Sequence, residues 1–374
     1  MEILIDATSI VGKPTGAGNY ALKLLENLSK IDKKNNYKVI VQKKLSPDHP
    51  VFNLRFQFLK ADLPTVGLKR QLFYPFFFKK NKISCDIFHC LTPYLPLGQN
   101  FPSIITVHDL TYIKYPSFLK NKLKSFYLKK ITELACQKAV EIIAVSKSTK
   151  KDLYQILKVP LQKTRVIYED SFLEKPKIPP KFLPKLRKPY ILCVAEKRPH
   201  KNLEGLIRAF YFFKKIDKWK TSLVLVGESY RRYKDFLSLI EKLGLKESVL
   251  LMEKISNEDL ASLYWYADLF LLLSFSEGFG LPVLEAMRFG LPVVISNISA
   301  LTEIAGDSAA AVDPRAPKEI AETIFKIFSS EDYRNTLIEK GMERVKNFSW
   351  EETAKETLKT YEEVYERAKD INLR

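Results

Sequence analysis

At 374 residues the chain exceeds one ordinary single-core domain, so two domains are expected. Its hydrophobic content of 46%, with 24 Phe and 18 Tyr, is enough for two cores and excludes a disordered chain. The net charge of +18 suits an anionic partner such as nucleic acid, anionic lipid or a phosphorylated substrate, although lysine enrichment is also a habit of heat-adapted proteomes.

The opening run MEILIDATSIVG reads directly as a strand and lacks the basic region and apolar core of a secretion signal. The longest apolar runs, such as Leu269 to Leu273, are far too short to span a bilayer. Cys85, Cys90, Cys136 and Cys193 are scattered, with no zinc or redox spacing. The expectation is a cytoplasmic protein, soluble or peripheral on the inner face of the membrane, with plain thiols.

Strand-like runs at Ile3–Ala7, Tyr37–Val41, Ile87–Cys90, Ile104–Val107 and Ile142–Val145 alternate with helical periodicity at Tyr20–Lys30, Leu119–Ala139 and Thr149–Leu157. That alternation predicts βα units and a parallel sheet for residues 1–170. Residues 171–189, rich in proline and lysine, read as a linker. The rhythm restarts with strands at Tyr190–Ala195, Ser222–Val226, Val249–Met252, Leu269–Ser274 and Pro292–Ile295. Between them lie helices at Leu203–Phe213, Tyr233–Leu243, Asn257–Ala267 and Pro282–Arg288. Two helical stretches, Pro317–Phe328 and Trp350–Ala368, close the chain, so residues 190–351 form a second domain. The helix at about 352–374 is expected to pack back on the first. Such doubly wound sheets bind ligands beyond the carboxyl ends of their strands, which points to the cleft between the domains.

The run Ser274 to Pro292, SFSEGFGLPVLEAMRFGLP, carries the sharpest signal. An apolar strand ends at Glu277, Gly278-Phe279-Gly280 allow close backbone approach, and Leu281-Pro282 open a helix whose free N–H groups and dipole suit a diphosphate. Glu285 lies eight residues after Glu277, where a carboxylate can accept hydrogen bonds from vicinal hydroxyls.

These residues resemble the retaining glycosyltransferases of family 4, which have the GT-B fold, two Rossmann-like domains facing across a cleft. The family's E-x7-E motif matches Glu277 and Glu285, and Gly290-Leu291-Pro292-Val293 and Ala300-Leu301-Thr302-Glu303 are also similar to it. The resemblance covers most of the chain and is densest from Tyr190 to Pro314. It implies an enzyme that moves a hexose from a nucleotide-diphosphate sugar, GDP-mannose or a UDP-sugar, to a glycan or lipid-linked acceptor with retention. The pathway implied is cell-surface polysaccharide or lipopolysaccharide synthesis. By the same resemblance Glu277 lies at the donor sugar and Glu285 at the ribose, while the amides of Gly278, Phe279 and Gly280 meet sugar and phosphates. Lys201 matches the lysine that neutralises the donor diphosphate. The chain departs from the family at Ala195, where a glycine is usual, and at Glu196, where many members have a phosphate-binding arginine. Either Arg198 or His200 substitutes, or Glu196 faces away.

In the first domain, Gly16 and Gly18 satisfy a relaxed dinucleotide fingerprint, but they come well after the first strand. In the resembled family a glycine loop here faces the donor phosphates and the acceptor. His108 follows the strand ending at Val107 and is the candidate hydrogen-bonding or proton-handling group, close to the donor sugar by resemblance. His89 either lines the acceptor side or packs in the core, and Ser146 caps the next helix. No Asp-x-Asp or other metal motif is present, so no metal or cofactor is expected. Leu68–Lys82 and Ser117–Lys130 mix aromatics and leucines with lysines, as a core-packed helix with a solvated face or a surface for anionic membrane would. The alternative readings are a sugar-nucleotide epimerase or hydrolase on the same fold, a basic nucleic-acid-binding protein, and a non-catalytic scaffold. No recognised nucleic-acid module supports the second of these.

Overall fold

The computed structural model describes every residue except 12–14, 65–66, 120, 182–185, 229 and 373–374. The chain opens with β1 (Glu2–Asp6), α1 (Gly16–Ile31), β2 (Asn36–Gln42), β3 (Gln57–Ala61), α2 (Leu68–Lys80) and β4 (Ile87–Cys90). There follow β5 (Ser103–Val107), α3 (Thr111–Lys114), α4 (Lys122–Lys138), β6 (Glu141–Ala144), α5 (Lys147–Leu157) and β7 (Thr164–Val166). The second half runs β8 (Tyr190–Val194), α6 (Leu203–Lys214), β9 (Ser222–Val226), α7 (Lys234–Lys242), β10 (Val249–Met252), α8 (Asn257–Tyr266) and β11 (Leu269–Leu272). It continues with α9 (Leu281–Arg288), β12 (Val293–Ser296), α10 (Ser299–Ala305), β13 (Ala310–Val312), α11 (Pro317–Ser329) and α12 (Glu331–Arg344), before α13 (Trp350–Asn372).

Two compact units result, one of Met1–Asp170 with Phe348–Arg374, the other of Ser171–Asn347. Each holds one all-parallel sheet: β3-β2-β1-β4-β5-β6-β7 in the first, and β10-β9-β8-β11-β12-β13 in the second. The architecture is α/β and doubly wound. The strand order reverses between β1 and β4 in one sheet and between β8 and β11 in the other. Central strands such as Leu4-Ile5, Ile104-Ile105, Leu192 and Leu269–Leu272 are buried on both faces, as parallel strands between helical layers must be.

The helices form for ordinary reasons. α1 buries Tyr20, Ala21, Leu24, Leu25 and Leu28, a stripe at three- and four-residue spacing, and Thr15 caps it by accepting from the Gly18 amide at 3.0 Å. α13 joins the first unit through long-range contacts. Tyr361 Oη lies 2.7 Å from His89 Nδ1, Thr353 Oγ1 donates to the Tyr168 carbonyl at 2.7 Å, and Arg367 pairs with the buried Glu141 at 2.6 Å.

Several elements are absent from the sequence reading, each for a physical reason. β7 and β13 are three residues long, and the edge strand β3 is half exposed, so none carries a clear apolar run. Three helices, not two, end the chain. α12 is strongly polar and buries Leu337 and Gly341 alone, which leaves no stripe to read. Residues 171–189 are structurally part of the second unit, where Leu173 and Leu186 enter the core.

In the segment Leu68–Lys82, Phe73 and Phe76 are exposed as read, and the departure is a buried cation. All of the segment but its last two residues forms α2, which turns Arg70, Tyr74 and Phe78 inward and leaves Leu68, Leu72, Phe73 and Phe76 more than half exposed. Fully buried Arg70 and the Tyr74 hydroxyl both bond Asp6, at the carboxyl end of β1 where the strand order reverses. Burial alone would raise the Asp6 carboxyl, but Arg70, Tyr74 and Thr8 hold it below the usual carboxylate range. Replacing Arg70 with Ala would strand a buried carboxylate. The expected cost to the first unit is about 3–5 kcal/mol, measured by chemical denaturation with Trp350 as the reporter. A loss below about 1 kcal/mol would show that Asp6 does not depend on this pair.

Candidate functional site

In a doubly wound sheet, the two loops that leave the strands on either side of the reversal diverge and open a crevice between them. In the second unit these are the loop after β8, residues 195–202, and the loop after β11, residues 273–280. The Phe275 amide ties them together by donating to the His200 carbonyl at 2.7 Å.

Lys201 and Glu277, one on each loop, meet there. Lys201 Nζ lies 2.7 and 2.8 Å from the two Glu277 carboxylate oxygens, and Ser274 Oγ donates to Glu277 Oε1 at 2.6 Å. Both charged side chains keep some exposure, 21% and 11%. The pair is therefore reachable from solvent yet held by three hydrogen bonds. An ammonium has three donors, so Lys201 can take a phosphate oxygen without leaving Glu277.

Gly280 then opens α9 at φ +108°, and a Cβ there would lie 2.6 Å from Leu301 Cδ2. The positive φ is what favours glycine here, and a Cβ would also push on the end of the Leu301 side chain. Leu281 and Pro282 form the first turn of α9, where Pro282 has no N–H and the Val283 amide donates to the Gly280 carbonyl at 2.9 Å, which leaves the Leu281 amide and the positive end of the helix at the loop. Gly278 belongs to the same loop, while the Phe279 ring is buried beneath it.

Glu285, in contrast, is buried. It accepts from Tyr264 Oη at 2.8 Å and from the Phe172 amide. Burial raises its carboxyl above the usual value, with Tyr264, Phe172 and Arg288 opposing that rise. Glu277 and Glu285 share a motif but have different surroundings.

The departures at Ala195 and Glu196 also have a structural account. The Ala195 carbonyl accepts from the buried Tyr230 hydroxyl. Glu196 Oε2 is bonded to Arg198 Nε at 3.0 Å, with both side chains about half exposed. The acid is matched by the arginine two residues on, and an exposed pair of this kind rearranges at little cost.

In the first unit His108 follows β5. Its Nε2 lies 3.2 Å from the Leu91 carbonyl and its Nδ1 3.5 Å from Glu169 Oε1, while the Tyr20 ring packs edge-on at 4.8 Å. His89 is a core residue. It is fully buried between Tyr361 and Thr106 Oγ1, and burial, helped by the charge of His108, pushes it down to about 3. Ser146 caps α5 by accepting from the Thr149 amide at 3.0 Å. Gly18 is required for packing, since a Cβ would meet the Ser9 carbonyl at 2.8 Å, whereas Gly16 faces open space.

The structure therefore brings Lys201 and Glu277 together and sets Glu285 apart in the core, beneath the same helix start. Sequence reasoning missed Ser274, Tyr264 and Glu169, because each acts on a partner brought near only by folding. Ser274 alone had a local signal, three residues before Glu277 on the same turn. Among the described residues, no group of three or more His, Cys, Asp or Glu could hold a metal ion.

Comparison with known proteins adds two family matches that together span most of the chain. A model described as glycosyl transferases group 1 matches residues 174–344, and one described as glycosyltransferase family 4 matches residues 14–169. The chain is 29% identical over 288 residues to O-antigen chain mannosyltransferase B of Escherichia coli, covering 74% of each. It is 30% identical over 299 residues to a glycosyltransferase of Methanocaldococcus jannaschii, covering 74% of this chain and 75% of the relative. Among solved structures, sucrose-phosphate synthase from Thermosynechococcus elongatus superposes with a TM-score of 0.77 at 20% identity, over 98% of this chain and 99% of the other. Anabaena HepE in complex with UDP and glucose does so with a TM-score of 0.74 at 20% identity, over 96% and 99%. These two likenesses are of fold.

Proposed function

The chain belongs to the glycosyltransferases of family 4, and from that premise we propose that it transfers a hexose from a nucleotide-diphosphate sugar to a glycan or lipid-linked acceptor, with retention, in cell-surface polysaccharide synthesis. The observation that carries this reading is the Lys201–Glu277 pair at the strand reversal of the second sheet, beside the start of α9. A cation, a carboxylate and the positive end of a helix within one crevice suit the three parts of such a donor: diphosphate, sugar hydroxyls and leaving-group charge.

In this reading Lys201 takes the diphosphate and Glu277 turns to the sugar. The amides of Gly278, Phe279 and Gly280, with Leu281, line the phosphates, and Arg198 is the second cation once it leaves Glu196. Glu285 holds the ribose, whose hydroxyls are donors suited to a buried carboxylate. Gly16, Gly18 and His108 serve the transfer from the first unit. The diphosphate charge is carried by Lys201 and the positive end of α9, so no metal or cofactor is called for. The mannosyl transfer named for the E. coli relative supports mannose as the sugar, and GDP-mannose is the first donor candidate. The UDP bound in HepE supports a UDP-sugar as the other candidate.

We place the protein on the cytoplasmic face of an anionic membrane. Among the described residues no helix is long and apolar enough to cross one. However, α2 exposes Leu68, Leu72, Phe73 and Phe76, and α4 exposes Leu123 and Phe126, beside Lys79, Lys80, Lys129 and Lys130. Apolar side chains ringed by lysines suit an acidic headgroup layer. Nucleic acid is not a partner in this reading.

Thermal stabilisation by a panel of nucleoside diphosphates and nucleotide sugars tests the donor. One base is expected to raise the midpoint, by mass action worth about 2.7 kcal/mol at a hundredfold excess over Kd. Lys201→Ala and Glu285→Ala are expected to abolish that shift, and the absence of any shift in folded protein would sink the donor reading. Retention predicts that NMR of the product shows the anomeric configuration of the donor; an inverted centre would refute it. Vesicles containing phosphatidylglycerol should sediment the protein, and Leu72→Glu with Phe76→Glu should release it. Equal sedimentation with neutral vesicles would remove the electrostatic part of the membrane reading.

A further inference from the structure

His108 lies between two hydrogen-bond acceptors. Its Nε2 faces the Leu91 carbonyl at 3.2 Å, and its Nδ1 faces the Glu169 carboxylate at 3.5 Å. A carbonyl cannot donate, and neither can an ionised carboxylate. A neutral imidazole has a single N–H and would turn a bare lone pair toward one of these oxygens. The imidazolium, with two N–H groups, meets both.

Glu169 needs this arrangement as much as His108 does. Its side chain is 4% exposed, in the segment that follows β7, and a carboxylate that deep requires a counter-charge or a proton. His108, with its side chain 20% exposed, supplies the charge while keeping one edge toward solvent. The surroundings agree. Burial works against the His108 cation, but the bond and charge of Glu169, the Leu91 carbonyl and Asp109 outweigh it and raise the group. Tyr20 of α1 packs its ring edge-on against His108, and from β4 the neighbouring His89 stays neutral, so no second cation opposes the first.

We infer that Glu169 is a positioning residue that holds His108 as an oriented imidazolium, so that His108 acts in the transfer as a hydrogen-bond donor and local cation and not as a base. This rests on the reading that His108 serves the transfer. The 3.2 Å contact with Leu91 is long for a hydrogen bond to a cation, so a donor hydroxyl or phosphate oxygen can take over that N–H. The Glu169 contact keeps the ring aligned and charged during the exchange. A buried clamp with no part in the reaction would pin the segment after β7 but would not set the protonation state that the reaction needs.

The experiment is a pH titration of the histidine ring resonances in the full-length, isotope-labelled protein. The chain has four histidines, and the His108 signals are assigned by their loss in His108→Asn. The cation exists below the raised value and is lost as pH climbs through it. Glu169→Gln should therefore lower the His108 midpoint by about one unit or more, and Glu169→Asp, which keeps the charge, by less. If His108 titrates alike in wild type and Glu169→Gln, with thermal midpoints showing both folded, the inference is overturned. Should Glu169→Gln fail to fold, the wild-type titration decides, and a His108 midpoint at or below that of a free histidine overturns the inference. The rate of sugar transfer is followed across the same range. Its fall on the alkaline side should move down in step with the ring midpoint. A ring that shifts while the rate profile stays in place upholds the hold of Glu169 on His108, and refutes the role of His108 in the transfer.

Discussion

Every strand pair in both sheets is parallel, and this constraint governs where chemistry can sit. Parallel strands need a crossover after each one, so within a sheet all the loops that leave strand ends collect along one edge. His108 follows β5, Glu169 follows β7, Lys201 follows β8 and Glu277 follows β11. None of these side chains belongs to a strand or depends on a long loop for its support. For His108, Lys201 and Glu277 the strand before them lies inside its sheet and cannot shift without disturbing a core, whereas Glu169 follows the short edge strand β7.

The charges at these edges are arranged in pairs. Although the chain carries +18 overall, Lys201 is met by Glu277, Arg198 by Glu196, His108 by Glu169 and Arg70 by Asp6. Exposure separates their uses. The Arg70–Asp6 pair is sealed and serves the fold, where a lone charge would be intolerable. The Lys201–Glu277 pair remains reachable, and a ligand can enter it by sharing an ammonium. Glu285 stands outside this pattern, buried and bonded to neutral donors, which leaves it ready for hydroxyls in place of a cation.

What could be read from the sequence follows from how local each requirement is. Gly280 and Pro282 answer to a left-handed turn and a helix start within a few residues, so the Glu277–Glu285 stretch announces itself. The long apolar helices and central strands are legible for the same reason. Glu169 and Tyr264 are not, because their partners come from other strands and helices, and no spacing in the chain reveals the pairing. Arg70 misleads for a related reason. A cation among aromatics reads as surface unless the acid that admits it to the core is known, and that acid is Asp6 on the first strand. The short β7 and β13 and the polar α12 fail differently, since their burial is too slight to leave a periodic trace.

The return of α13 to the first unit bears on the order in which the protein is made. His89 sits in a core that Tyr361 completes, and Trp350 closes over Tyr20. A ribosome delivers both aromatic residues only after the whole second unit has been translated. The nascent first sheet must therefore wait with a polar histidine and an uncovered helix face while its neighbour folds, a period in which chaperone binding or aggregation competes with completion. α13 thus times the maturation of the first unit, and a stop codon between the second unit and α13 would damage a unit made before the second one.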